Sequence, residues 1–302
     1  MHRGIAVLLG LALALNLAAL FTPFVEVRLG LDRQTYSLLH SVQMLWDFDL
    51  TYLAVLVAGF SIVFPFAKLA VLSAVFLGKI PPIWASRVGT VGKWSMLDLF
   101  LVALLLGVSY DRLLIDAVPQ WGLLCFALSI ILSMLAGELL HPPESETEPA
   151  HHGGVAAILV GLAACGTAGS LLLPLFKTDA WFLSDVAYSI IGLTRTLWQA
   201  GAIVPAMAVG LFLVAFPVMR LLGLGLINRV GGAWTARTAL LSRWSMHEPF
   251  ALALAIFAIE GEGTIPTALA PGAVALLIAM AMTNGAVWAL TRRRHQVPHE
   301  GE

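Results

Sequence analysis

Stretches of about twenty apolar residues, separated by short polar segments, run the length of the chain. Crossing about 30 Å of hydrocarbon takes roughly 20 helical residues. The pattern predicts spanning helices at 4–24, 50–78, 95–110, 119–140, 154–176, 200–227, 245–260 and 266–291. In each set of four the third is short, and the second is long enough to tilt or to carry a break. The first run reads as a retained helix and not a signal peptide, because it continues to spanning length without a small-residue cleavage site before Pro23. The stretches 33–47 and 185–199 are too short and too polar to span. They read as amphipathic helices at the outer face or as re-entrant hairpins, with Tyr36, Leu39, Gln43 and Trp46 on neighbouring turns.

The same landmarks occur twice, in the same order, as an internal repeat. Tyr36-Ser37 through Leu45-Trp46 matches Tyr188-Ser189 through Leu197-Trp198, and Phe64-Pro65 with Lys68 matches Phe216-Pro217 with Arg220, both shifted by 152. Trp84 and Arg87 match Trp234 and Arg237, and Trp94-Ser95-Met96 matches Trp244-Ser245-Met246, shifted by 150. The domains expected are a first four-helix repeat at 1–140, a polar linker at 141–153, a second repeat at 154–291 and a basic tail at 292–302. Four spans per repeat is an even number, so both repeats enter the membrane in the same direction, related by an axis along the membrane normal. The fold class is therefore an all-α integral membrane protein of about eight helices in two parallel repeats.

Composition agrees. Of 302 residues, 59% are hydrophobic and only 12% charged, against about 25% charged in a soluble domain. A net charge of −1 supplies no overall field to recruit nucleic acid or anionic lipid. The segments 79–94 (Lys79, Arg87, Lys93) and 228–243 (Arg229, Arg237, Arg243) are basic and free of acids. Glu26, Asp32, Asp47, Asp49, Asp111, Asp116, Asp179, Asp185, Glu260 and Glu262 fall on the opposite side. Basic loops stay cytoplasmic, which puts both termini inside; the acidic linker is then also inside, a conflict eased by the small weight of acids in topology. Cys125 and Cys165 lie within apolar runs without metal-ligand spacing, so neither a metal nor another cofactor is expected. His141, His151 and His152 read as part of a flexible linker, and the chain shows no nucleotide loop, nucleophile elbow or zinc-protease pattern. An enzyme is not expected.

The chemistry concentrates in the second and third helices of each repeat. Lys68 and Arg220 lie about ten residues, or on the order of 15 Å, inside their apolar segments. A charge near the bilayer centre costs about 2.5–3.5 kcal/mol on insertion scales, so an internal partner is expected. Three residues earlier, Pro65 and Pro217 each remove a helix hydrogen bond and free the carbonyls of Ser61 and Leu213. The partners expected are Asp98 for Lys68 and Glu248 for Arg220. The plainer reading of both acids is complementarity to a helix dipole, with Ser95 or Ser245 as the cap. Trp84, Trp94, Trp234 and Trp244 read first as interfacial anchors. His247, beside Glu248, reads first as a surface histidine and second as a proton-handling group.

Phe64-Pro65-x-x-Lys68-Leu69, followed by Trp94 to Asp98, resembles the paraquat-inducible protein A family, which includes the lipophilic envelope-spanning tunnel protein A. The resemblance is closest in the first half; Arg220, His247 and Glu248 replace the usual types in the second. It implies an inner-membrane protein of double-membraned bacteria that loads or extracts phospholipid for a periplasmic mammalian-cell-entry (MCE) protein, a tunnel between the membranes. Members of the family carry four-cysteine zinc ribbons before each membrane half; the sequence provides no cysteines for them, so they are not expected here. A small-molecule exporter and a non-transporting membrane anchor are the other classes left open.

Overall fold

In hydrocarbon every backbone N–H needs a partner within the chain, which an apolar run can supply only as a helix. The computed structural model describes residues 2–29, 32–47, 49, 51–110, 115–140, 154–180, 183–230, 238, 241–261 and 267–292, and has a helix at each expected apolar segment. Six of these are long and apolar enough to span: His2–Phe21, Ala58–Phe76, Ile83–Val108, Trp121–Leu140, Ile203–Gly225 and Pro271–Ala289. The protein is an α-helical membrane protein. The linker 141–153, Trp234, Arg237, Glu262 and the tail from 293 lie outside the described residues. The chain divides into two compact units, one of Met1–Pro143, Thr194–Ala208 and Leu252–Leu254, the other of Glu144–Leu193, Val209–Ala251 and Ala255–Glu302.

The first half runs α1 (His2–Phe21), β1 (Pro23–Leu29), β2 (Asp32–Ser37), α2 (Leu38–Asp47), α3 (Thr51–Val57), a π-helical stretch (Ala58–Val63), α4 (Phe64–Phe76), α5 (Ile83–Gly92), a 3₁₀ turn (Lys93–Met96), α6 (Leu97–Tyr110), β3 (Ile115–Pro119) and α7 (Trp121–Leu140). Helix α1 packs along α7, and Ser129 Oγ donates to Ala12 O at 2.9 Å across that contact. Ile5, Leu9, Leu69, Leu72, Val75, Ala85 and Ala136 form one buried cluster. On the other face of α1, Val7, Leu11 and Leu17 stay exposed, as expected of a helix whose outer surface meets lipid. Gly78 (φ +69°) closes α4: its N–H reaches Val75 O and the Lys79 N–H reaches Ala74 O, a left-handed cap that satisfies two end carbonyls.

The second half runs α8 (Gly154–Leu172), β4 (Phe176–Ala180), β5 (Leu183–Tyr188), α9 (Ile190–Gln199), α10 (Ile203–Val209), a π-helical stretch (Gly210–Ala215), α11 (Phe216–Val230), α12 (His247–Gly261), β6 (Thr267–Leu269) and α13 (Pro271–Arg292). Small residues let α8 and α13 approach closely: a Cβ on Gly166 would stand 2.8 Å from Ala279 N.

The strands correct the sequence reading. Tyr36 lies on a strand and not on a helix, and the stretches 33–47 and 185–199 become helical only from Leu38 and Ile190. Each half builds a three-stranded antiparallel sheet, in the orders β2-β1-β3 and β5-β4-β6. The alternation in Phe24-Val-Glu-Val-Arg28 favours a strand, and β1 finds partners on both edges. Phe24 packs edge-on against Phe126 at 5.6 Å, while Phe176 stacks on Tyr188 at 5.1 Å. Glu26 accepts from Arg28 Nε (2.8 Å) and Gln120 Nε2 (3.0 Å), tying the sheet to the start of α7.

Candidate functional site

Two carbonyls near Pro217 decide how the second unit is built. In the π-stretch the Phe216 N–H bonds Leu211 O, and the imide nitrogen of Pro217 has no hydrogen to give. The oxygens of Phe212 and Leu213 turn instead to the start of α12, where the Met246 N–H reaches Phe212 O at 3.3 Å and His247 Nε2 lies 3.3 Å from Leu213 O. A carbonyl only accepts, so Nε2 carries the hydrogen of that bond. Trp244 stacks on Phe212 (6.0 Å, 7° between planes) and packs against Phe216. An aromatic plug and two hydrogen bonds thus fix α12 against the break in the α10–α11 helix.

Beside that junction lies a narrow, partly open crevice. Helix α11 lines it with Pro217, Arg220 and Leu221; the segment entering α12 with Ser245, His247 and Glu248; α8 with Thr167; and α13 with Met280, Thr283 and Asn284. Arg220, His247, Ser245, Thr167 and Thr283 are each more than nine-tenths buried. Glu248 acts electrostatically on both Arg220 and His247. A guanidinium, a carboxylate, an imidazole and several hydroxyls therefore meet among apolar helices.

The first unit places its polar groups differently. Asn16 (α1), Ser61 (the π-stretch), Lys68 (α4), Ser95 (the 3₁₀ turn) and Asp98 (α6) are all buried, in elements that pack on one another. Asn16 Oδ1 and Nδ2, Ser61 Oγ, Lys68 Nζ, Ser95 Oγ and Asp98 Oδ1 have no hydrogen-bond partner among the described residues. The expected Lys68–Asp98 pair is therefore not formed. The acid that acts on the Lys68 ammonium is Glu138, near the end of α7, and the ammonium rests over Gly92, where a Cβ would come within 2.9 Å of Nζ. Glycine at 92 makes the room that a lysine head requires.

Three further expectations change. Ser95 is no helix cap, since its hydroxyl has no hydrogen-bond partner among the described residues. Trp244 is a packed core side chain and not an interfacial anchor, and Trp94 lies half-buried 6.4 Å from the ring of Phe60. Trp84 does stay exposed, with the Arg87 guanidinium 5.4 Å over its ring. His247 is buried and not on the surface, because the carbonyl that Pro217 leaves open draws it inward. Asn16, Glu138, Thr167, Thr283 and Asn284 were not singled out from sequence; the signal available was a lone polar side chain within an apolar span.

Apolar helices with ionic groups buried between them, and small sheets at the helix ends, define a multi-pass α-helical membrane protein with an internal polar site. Within that class, residues 2–145 match the family model for paraquat-inducible protein A. No curated protein and no solved structure gave a match.

Proposed function

We propose that this chain is the inner-membrane component of an MCE-type intermembrane lipid transport system, loading or extracting phospholipid for a periplasmic tunnel partner. The family match supports a membrane component of a Pqi-type system. The observation that carries phospholipid as cargo is the crevice of the second unit. A phosphodiester is an anion on an apolar body. Arg220 supplies a fork of donors suited to phosphate, Thr167 and Asn284 bring further polar groups, and Pro217, Leu221 and Met280 an apolar wall. The acyl chains would lie along the helices outside.

With basic loops inside, both termini are cytoplasmic, the two repeats run parallel, Arg220 and Lys68 lie nearer the cytoplasmic leaflet, and the sheets face the periplasm, where a tunnel protein would sit. The function needs no bond to be made or broken in the lipid, so the chain works as a carrier and not as an enzyme.

The test is gentle purification from the native membrane, with mass spectrometry of the proteins and lipids that come along, repeated for Arg220→Gln. An MCE-domain protein and bound phospholipid are expected with the wild type, and loss of the phospholipid with the variant. A chain that brings neither points to small-molecule export and overturns the proposal. A retained partner, with lipid traffic unchanged when Lys68, Asp98, Arg220 and Glu248 are all neutralised, makes the chain an anchor.

A further inference from the structure

Helix α9 is ten residues long, far short of a span. Ile190, Leu193 and Leu197 bury one face, each at 0% exposure. The opposite face presents Ile191, Arg195 and Trp198, spaced four and three residues apart. Ile191 is 45% and Trp198 61% exposed, and α9 contains no acid. A face turned to water would not carry a bare isoleucine and a bare indole around a cation. The connection also fixes the level of the helix. Gly201 (φ +73°) turns the chain through bonds from the Gly201 N–H to Trp198 O and from the Ala202 N–H to Leu197 O. The candidate span then begins at Ile203, so α9 ends at a membrane boundary.

Helix α2 repeats the apolar part of this face without the charge. Leu39 (40%) and Trp46 (56%) stand exposed where α9 has Ile191 and Trp198, and Gln43 stands in place of Arg195. Asp49 (φ +61°) makes the corresponding turn, its N–H on Trp46 O.

We infer that α9 lies in the membrane interface and that Ile191, Arg195 and Trp198 form a surface site for a phospholipid of the adjoining leaflet, with the guanidinium on the phosphate and the two apolar side chains among the upper acyl carbons. This site is separate from the Arg220 crevice and holds whether or not that crevice carries cargo. An interfacial helix takes this form: Trp at the headgroup level, an apolar face in the acyl boundary and a cation for the lipid charge. Helix α2 lies in the same interface but lacks the phosphate ligand.

The test uses the full chain with Cys125→Ser and Cys165→Ser, in nanodiscs of phosphatidylethanolamine and phosphatidylglycerol, with one nitroxide label on Ile191→Cys or Trp198→Cys. At both positions dissolved oxygen is expected to reach the label more readily than a water-soluble nickel chelate. Preferential access by the chelate, or exclusion of both reagents by a covering protein, overturns the inference. A phospholipid with a photoreactive group beside its phosphate is expected to label the segment Ile191–Gln199. Arg195→Gln, which copies α2, should lower that labelling about fivefold, the weight of one basic residue at an anionic surface, and Arg195→Lys should keep most of it. Equal labelling in all three overturns the role of Arg195.

Discussion

Lys68 keeps an ammonium at 2% exposure, without a hydrogen-bond partner among the described residues and with Glu138 as the acid whose field reaches it. Methionine would fill the same stem volume without a charge to desolvate. Burying a charge without a close partner costs several kcal/mol in lost hydration, which an apolar side chain of similar size does not incur. Lys68→Met is therefore expected to raise the thermal unfolding midpoint in detergent while abolishing lipid traffic; a lower midpoint would make Lys68 a structural lock between helices. Gly92→Ala tests the same spot from the other side. Its new methyl meets only the flexible end of Lys68, so the unfolding midpoint should hold while traffic falls. Lys68 and Arg220 were legible in the sequence because a charge within an apolar run is expensive wherever it points. Asn16, Thr167 and Thr283 were not, because an uncharged polar side chain can satisfy itself on its own helix, as Thr283 does on Ala279 O. Only the fold tells which ones face a polar site.

At the scale of elements, proline positions and hydrogen-bond supply explain more than propensity does. The sequence placed a break at Ser61 and Leu213, and the structure makes it a π-stretch ahead of each Phe-Pro. In the second unit His247 closes the break on Leu213 O; the first has Leu97 at that position. His247→Leu leaves a buried carbonyl short of a donor, at a cost of about 1–3 kcal/mol, measurable as a lower unfolding midpoint. A larger loss is expected at the joints between sheet and helix. A methyl on Gly122 would come within 2.6 Å of Pro23 O, and on Gly272 within 2.5 Å of Leu173 O and Pro174 O, and backbone cannot swing aside as the Lys68 head can. Gly272→Ala should therefore reduce the folded yield in membranes far more than Gly92→Ala. The sheets were missed because β1 and β4 directly follow apolar runs and merge with them in a hydropathy reading. Their pairing is also long-range, with Val25 opposite both Tyr36 and Pro119.

For the whole molecule, landmarks such as Phe-Pro and Trp-Ser-Met suggest two halves in the sequence, and a π-stretch precedes Phe-Pro in each. The compact units follow those halves only in part, since Thr194–Ala208 and Leu252–Leu254 group with the first. Sequence spacing cannot show this, because it records order along the chain and not proximity. The two polar sites also differ: one unit opens a crevice lined by a charge pair, while the other keeps five polar side chains enclosed. The π-stretches give the chain an unusual mechanical reserve. Each holds roughly one residue more than the α-helix around it would use. Returning that surplus to α-helical winding would turn everything beyond it by about 100° around the axis. Lys68 or Arg220 would then face a different neighbour, carried round with the rest of its helix.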